Sequence, residues 1–104
     1  MFPQLCAQDV DLSQAKIMAS TQKPFNSSIL AEKSGPPAWR QLPTWYQISE
    51  HDRIIPPALQ YMFAKQMNAN SIISLPSSHM SIVSYPNSIS QLILNAAILL
   101  LNHK

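Results

Sequence analysis

The apolar positions of this chain change their rhythm near Thr44, and the later half carries the clearer signal. Ile89, Leu92, Ile93, Ala96, Ala97, Leu100 and Leu101 recur at the spacing of one helix face, which predicts a helix over 87–102 whose apolar side lies on a sheet. Upstream, the β-branched run Ser71-Ile72-Ile73-Ser74-Leu75-Pro76 reads as a strand over 71–76, and the aromatic run Trp45-Tyr46 as part of a strand over 44–49. Between them Pro56-Pro57 opens a helix over 57–67, with Leu59, Met62, Phe63 and Met67 on one stripe. Strand, helix, strand, helix is the alternation of a parallel sheet with crossover helices, so the predicted fold class is α/β, with two parallel strands and flanking helices. A sheet of two strands is marginal in water, and the terminal helix asks for more sheet than two strands offer. Neighbouring strands from elsewhere are therefore expected.

Before Thr44 the pattern is helical and weaker. Asp11-Leu12-Ser13-Gln14 has the form of a capping box and opens a helix through about Thr21, with Ala15, Met18 and Ala19 on one side. Pro24 suits the first turn of a second helix, Phe25 to Glu32, which Ser34-Gly35-Pro36-Pro37 closes. Trp39 and Leu42 are then available to pack from a loop. The chain divides into connecting helices over 1–42 and a βαβα unit over 43–104.

Composition narrows the function classes. The 104 residues suffice for one small domain, with an ordinary apolar share of 46% but only 12% charged residues, about half the usual ~25%. So low a surface charge implies a face that expects to be covered. The net charge of +2 comes from scattered lysines and arginines with no basic stripe, which argues against a nucleic-acid partner. A single cysteine, Cys6, excludes an intramolecular disulfide, fits a reducing compartment and reads as a small apolar filler. No basic, apolar leader marks the N-terminus, and the apolar stretch Ala96–Leu101 falls far short of the ~20 residues of a membrane span. The expectation is a cytoplasmic protein without a membrane partner.

The chemistry-bearing residues stand where the predicted strands end. Asp52 follows the first strand and His79 the second, the place where ligands and catalytic groups collect in open α/β sheets. Each has an ordinary alternative: Asp52 as the turn or cap residue before the Pro56-Pro57 helix, His79 as a loop residue after Ser77-Ser78. Together they acquire a second meaning, because an acid and a histidine at neighbouring strand tips can meet, the carboxylate orienting the imidazole and stabilising its protonated form. His51 reads as a rim residue and His103 as inert, and the three histidines lack metal-ligand spacing, so no metal is expected. Trp39, Trp45, Tyr46 and the methionines read first as packing. The Asn26-Ser27-Ser28 sequon reads as a chance match. A nucleophile elbow of the form Gly-x-Ser-x-Gly has no counterpart, since the single glycine, Gly35, is followed by two prolines.

The stretches Ser34-Gly35-Pro36-Pro37-Ala38-Trp39-Arg40, Leu42-Pro43-Thr44-Trp45-Tyr46, Asp52-Arg53-Ile54-Ile55-Pro56-Pro57-Ala58-Leu59-Gln60, Met62-Phe63-Ala64-Lys65-Gln66-Met67, Ser77-Ser78-His79 and Tyr85-Pro86 resemble the C-terminal third of an α/β-hydrolase-fold family. The branch is the small esterase-like one, similar to plant methylesterases and hydroxynitrile lyases, and the resemblance runs from about Asp9 to Ala97. It implies that Asp52 is a triad acid and His79 the base of a serine-type hydrolase of small carboxylic esters, with no cofactor. It also implies that residues 9–41 or so end a cap and lead into the next core strand, and that the chain is the C-terminal segment of a larger enzyme. His51 stands where the family commonly has an acidic residue, with Glu50 one place earlier. Without nucleophile or oxyanion hole the chain alone is expected to be inactive. Its expected partners are a small-molecule ester in the complete enzyme, the missing N-terminal segment, or a second copy of itself. The alternatives are an inactive truncated product or a non-catalytic interaction partner.

Overall fold

The computed structural model describes residues 1–102. Two short helices, α1 (Phe2–Leu5) and α2 (Leu12–Ser20), and two 3₁₀ turns, Ser27–Ala31 and Ala38–Arg40, precede the sheet. Then come β1 (Trp45–Ser49), α3 (Pro57–Gln66), β2 (Ser71–Leu75), α4 (Ser81–Ser84) and α5 (Pro86–Leu101). The strands pair in parallel, with Trp45 opposite Ser71 and Ser49 opposite Leu75. The mixed α/β character and the two-stranded parallel sheet are those expected from the alternation of patterns.

Local chemistry sets most boundaries. The Asp11 carboxylate accepts the Gln14 N–H at 3.3 Å and caps α2, whose Ala15 is fully buried. Pro57 occupies the first turn of α3, where its missing N–H costs nothing. The end of α3 is a Schellman motif: the Asn68 N–H meets the Lys65 carbonyl and the Ala69 N–H meets the Ala64 carbonyl. Asn68 takes the required left-handed turn, with φ of 50°, a conformation that asparagine tolerates.

Three expectations need correction. The predicted helix Phe25 to Glu32 is the 3₁₀ turn Ser27–Ala31, because the Asn26 side chain accepts the Ser28 N–H at 3.0 Å and the whole stretch is exposed, so no packed face rewards a longer helix. On α3 the inward face is Gln60 and Ala64 with Phe63 and Met67 half-buried, while Leu59 and Met62 lie exposed. The stripe is turned because a polar side chain, Gln60, has partners beneath the helix. Tyr85 precedes Pro86 and is pushed out of the helical region, to φ −133° and ψ 56°, so a separate turn, α4, stands before α5.

The third correction concerns α5. Its predicted sheet-facing stripe is at most half-buried at Ile89, Leu92 and Ala96, and Ile93, Ala97, Leu100 and Leu101 are exposed. Sixteen helical residues extend about 24 Å, whereas five-residue strands extend about 16 Å, so the helix overshoots the sheet. Among the described residues the buried apolar side chains are only Ala7, Ala15, Ile48 and Ala64.

Candidate active site

Pairing does not stop at the ends of the strands. The Glu50 N–H bonds the Leu75 carbonyl at 2.9 Å and the His51 N–H bonds the Ser77 carbonyl at 3.0 Å, so the two chains run side by side past the sheet. This carries the turn after β1 and the loop after β2 to the same point. There His79 Nδ1 lies 2.9 Å from Asp52 Oδ2, a charge-assisted geometry. The imidazole is 36% exposed and the carboxylate side chain 4%. One face of the ring is thus reachable from solvent while its acidic partner is shielded.

Asp52 divides its contacts between its two oxygens. Oδ1 accepts the N–H groups of Ile54 and Ile55, at 2.7 and 2.9 Å, and shapes the turn into α3. Oδ2 faces His79 and also accepts from Gln60 Nε2 at 3.1 Å. Burial alone would raise the Asp52 carboxyl, but hydrogen bonds from His79 and from the Ile55 and Ile54 N–H groups outweigh it, with help from the imidazole charge, and hold it below the ordinary carboxylate range. An ionised carboxylate at Oδ2 requires Nδ1 to carry a proton, which leaves Nε2 as the acceptor.

The His79 loop is held from the N-terminal segment. Asp9 Oδ2 accepts the Ser78 N–H at 3.0 Å, and the Met80 N–H bonds the Cys6 carbonyl at 3.1 Å, so the histidine sits between two anchored residues. Burial opposes ionisation of Asp9, yet its hydrogen bonds with Ser78, and further ones including Ser84, bring its carboxyl below the usual value. Cys6 itself is half-buried, with its carbonyl rather than its thiol engaged in this contact. No protein-family model and no curated protein matches this chain.

His51 is exposed, and its backbone carbonyl accepts from the Gln8 amide at 2.5 Å. His103 lies outside the described residues. Among the described residues no three His, Cys, Asp or Glu side chains converge as a metal site would require. No described helix is long and apolar enough to cross a membrane. Two site residues escaped sequence reasoning: Gln60, which the apolar stripe of its helix concealed, and Asp9, separated by 69 positions from the residue it holds. For Gln60 a signal existed, a polar residue one helical turn past Pro56-Pro57 and eight positions after an acid. For Asp9 there was none, because a long-range contact leaves no local pattern.

Chemically, a carboxylate set against an imidazole in this way can serve as a general base. The buried carboxylate faces Nδ1, and Nε2 of the neutral ring can take a proton from a group brought to it. Among the described residues no hydroxyl or thiol is hydrogen-bonded to that nitrogen.

Proposed function

We propose that Asp52 and His79 are the acid and base of a Ser-His-Asp hydrolase site of the α/β-hydrolase type, acting on carboxylic esters, whose serine and oxyanion hole come from a polypeptide segment other than residues 1–104. The observation that carries this reading is the 2.9 Å contact between His79 Nδ1 and Asp52 Oδ2 at the ends of adjacent parallel strands. In this reading His79 Nε2 removes the serine proton as the hydroxyl attacks the ester carbonyl, and the imidazolium then protonates the leaving alcohol. Asp52 stays ionised throughout and offsets the charge on the ring. A water molecule, deprotonated by the same nitrogen, completes hydrolysis of the acyl intermediate.

The test is complementation. The isolated chain is expected to hydrolyse activated short-chain esters no faster than buffer, since without an elbow serine His79 has nothing to activate. Co-expression with an N-terminal α/β-hydrolase segment bearing Gly-x-Ser-x-Gly should restore turnover, and His79→Ala should lower it by roughly 10⁶-fold and Asp52→Ala by roughly 10⁴-fold. Turnover by the isolated chain that disappears in His79→Ala, or complemented turnover indifferent to both substitutions, refutes the reading.

A second reading, a non-catalytic chain that adds its elements to another protein, is favoured by one observation. Ile93, Leu94, Ile98 and Leu101 are all more than half exposed on α5, an apolar surface of the kind that interfaces bury.

A further inference from the structure

Gln60 engages both ends of its amide and lies beneath α3, buried to 4% exposure. Its Oε1 accepts the N–H of Ser49, the last residue of β1, at 2.9 Å. Its Nε2 lies 2.8 Å from the Ile55 carbonyl, 3.1 Å from Asp52 Oδ2 and 3.4 Å from the Ser49 carbonyl. The orientation of this amide is not free. A backbone N–H can only donate, so the oxygen must face Ser49, and the NH₂ group is then committed to three partners that can only accept.

We propose that Gln60 is a positioning residue for the Asp52–His79 pair, holding the carboxylate so that Oδ2 meets His79 Nδ1 and thereby fixing which ring nitrogen carries the proton. This rests on reading that pair as acid and base. The turn bonds to Ile54 and Ile55 converge on Oδ1 alone, which leaves the carboxylate able to tilt about that oxygen. Gln60 supplies the anchor at the other oxygen. The same amide spans Ser49 and Ile55, so the strand tip, the turn and the carboxylate form one unit. Leucine at this position keeps the approximate volume but leaves the Ser49 N–H without its acceptor and Oδ2 without its second donor. Glutamate keeps an acceptor for Ser49 but aims its other oxygen at three acceptors, displacing Asp52.

The experiment is long-range ¹H–¹⁵N correlation on the labelled full chain at about pH 9, well above the ordinary imidazole range near ~6.5, where the tautomer is read directly. The exposed His51 serves as internal reference. Wild type is expected to show His79 with its proton on Nδ1 in far greater proportion than His51, and Gln60→Leu and Gln60→Glu to bring His79 toward the His51 proportion. Circular dichroism and urea titration establish that each variant is folded. In the wild type, one Gln60 Nε2 proton should exchange slowly with solvent, and rapid exchange of both overturns the proposal whatever the variants do. Wild-type His79 indistinguishable from His51 removes the acid–base reading itself. An Nδ1–H signature lost in Asp52→Asn but kept in both Gln60 variants overturns the role of Gln60 alone.

Discussion

Asp52→Asn is the substitution that most sharply separates a working acid–histidine pair from a turn aspartate. Four N–H groups converge on the carboxylate, two on each oxygen: Ile54 and Ile55 on Oδ1, His79 and Gln60 on Oδ2. An asparagine that keeps its oxygen toward Ile54 and Ile55 turns an NH₂ group toward two donors. Gln60 cannot answer by flipping, because the Ser49 N–H holds its oxygen. His79 can, by moving its proton to Nε2 and accepting at Nδ1. Two hydrogen bonds to a charged acceptor, each about 1.5–3 kcal/mol, are then replaced by one neutral bond of about 1 kcal/mol. The arithmetic gives about 2–5 kcal/mol, and the lower end applies because water can reach the imidazole, which is 36% exposed. With a urea slope of about 2 kcal/mol per molar, the midpoint should fall by about 1 M. The assay is paired, urea unfolding followed by circular dichroism and the His79 tautomer by ¹⁵N shifts. A midpoint within about 0.2 M of wild type together with an unchanged Nδ1–H signature refutes the reasoning, since it means that Oδ2 is not engaged as the geometry requires.

Acid sensitivity should follow from Asp52 and Asp9, whose folded carboxyls both lie below the ordinary range. As pH falls the unfolded chain binds protons first, near ~4, so the stability these groups contribute is present above that pH and is lost as pH drops through their folded values; urea midpoints between pH 5 and 2.5 should decline, less steeply in Asp52→Asn, and a flat profile contradicts this. The chain should self-associate through α5, so Ile98→Glu, at an exposed position, should lower the weight-average mass in sedimentation equilibrium, whereas a wild type that is monomeric at all concentrations goes against it.

Much of the secondary structure was legible because it rests on local chemistry. Pro57 suits the first turn of a helix, Asp11 caps the turn that follows it, and the β-branched run at Ile72-Ile73 favours strand. The stretch from Phe25 to Glu32 carries a helical proline signal but lacks the packing that sustains a helix. Gln60 is hidden for a related reason: spacing shows an apolar stripe on α3 but not the buried partners that draw a glutamine inward.

By itself the sequence determined which residues could carry the chemistry and on which strand ends they would stand. Asp52 and His79 are separated by one strand–helix unit, and a parallel pairing of their strands must bring their tips to the same edge. Only the tertiary structure decided that the side chains meet, because the meeting depends on the bonds from Glu50 and His51 past the strand ends, on the Asp9 and Cys6 anchors of the histidine loop, and on the second donor that Gln60 brings to Oδ2. It likewise decided that α5 outruns the sheet and leaves its apolar residues uncovered. The physical reason is range: caps, turns and helix starts are fixed within a few residues of chain, whereas a carboxylate's rotamer and a helix's burial are set by groups that sequence separation hides.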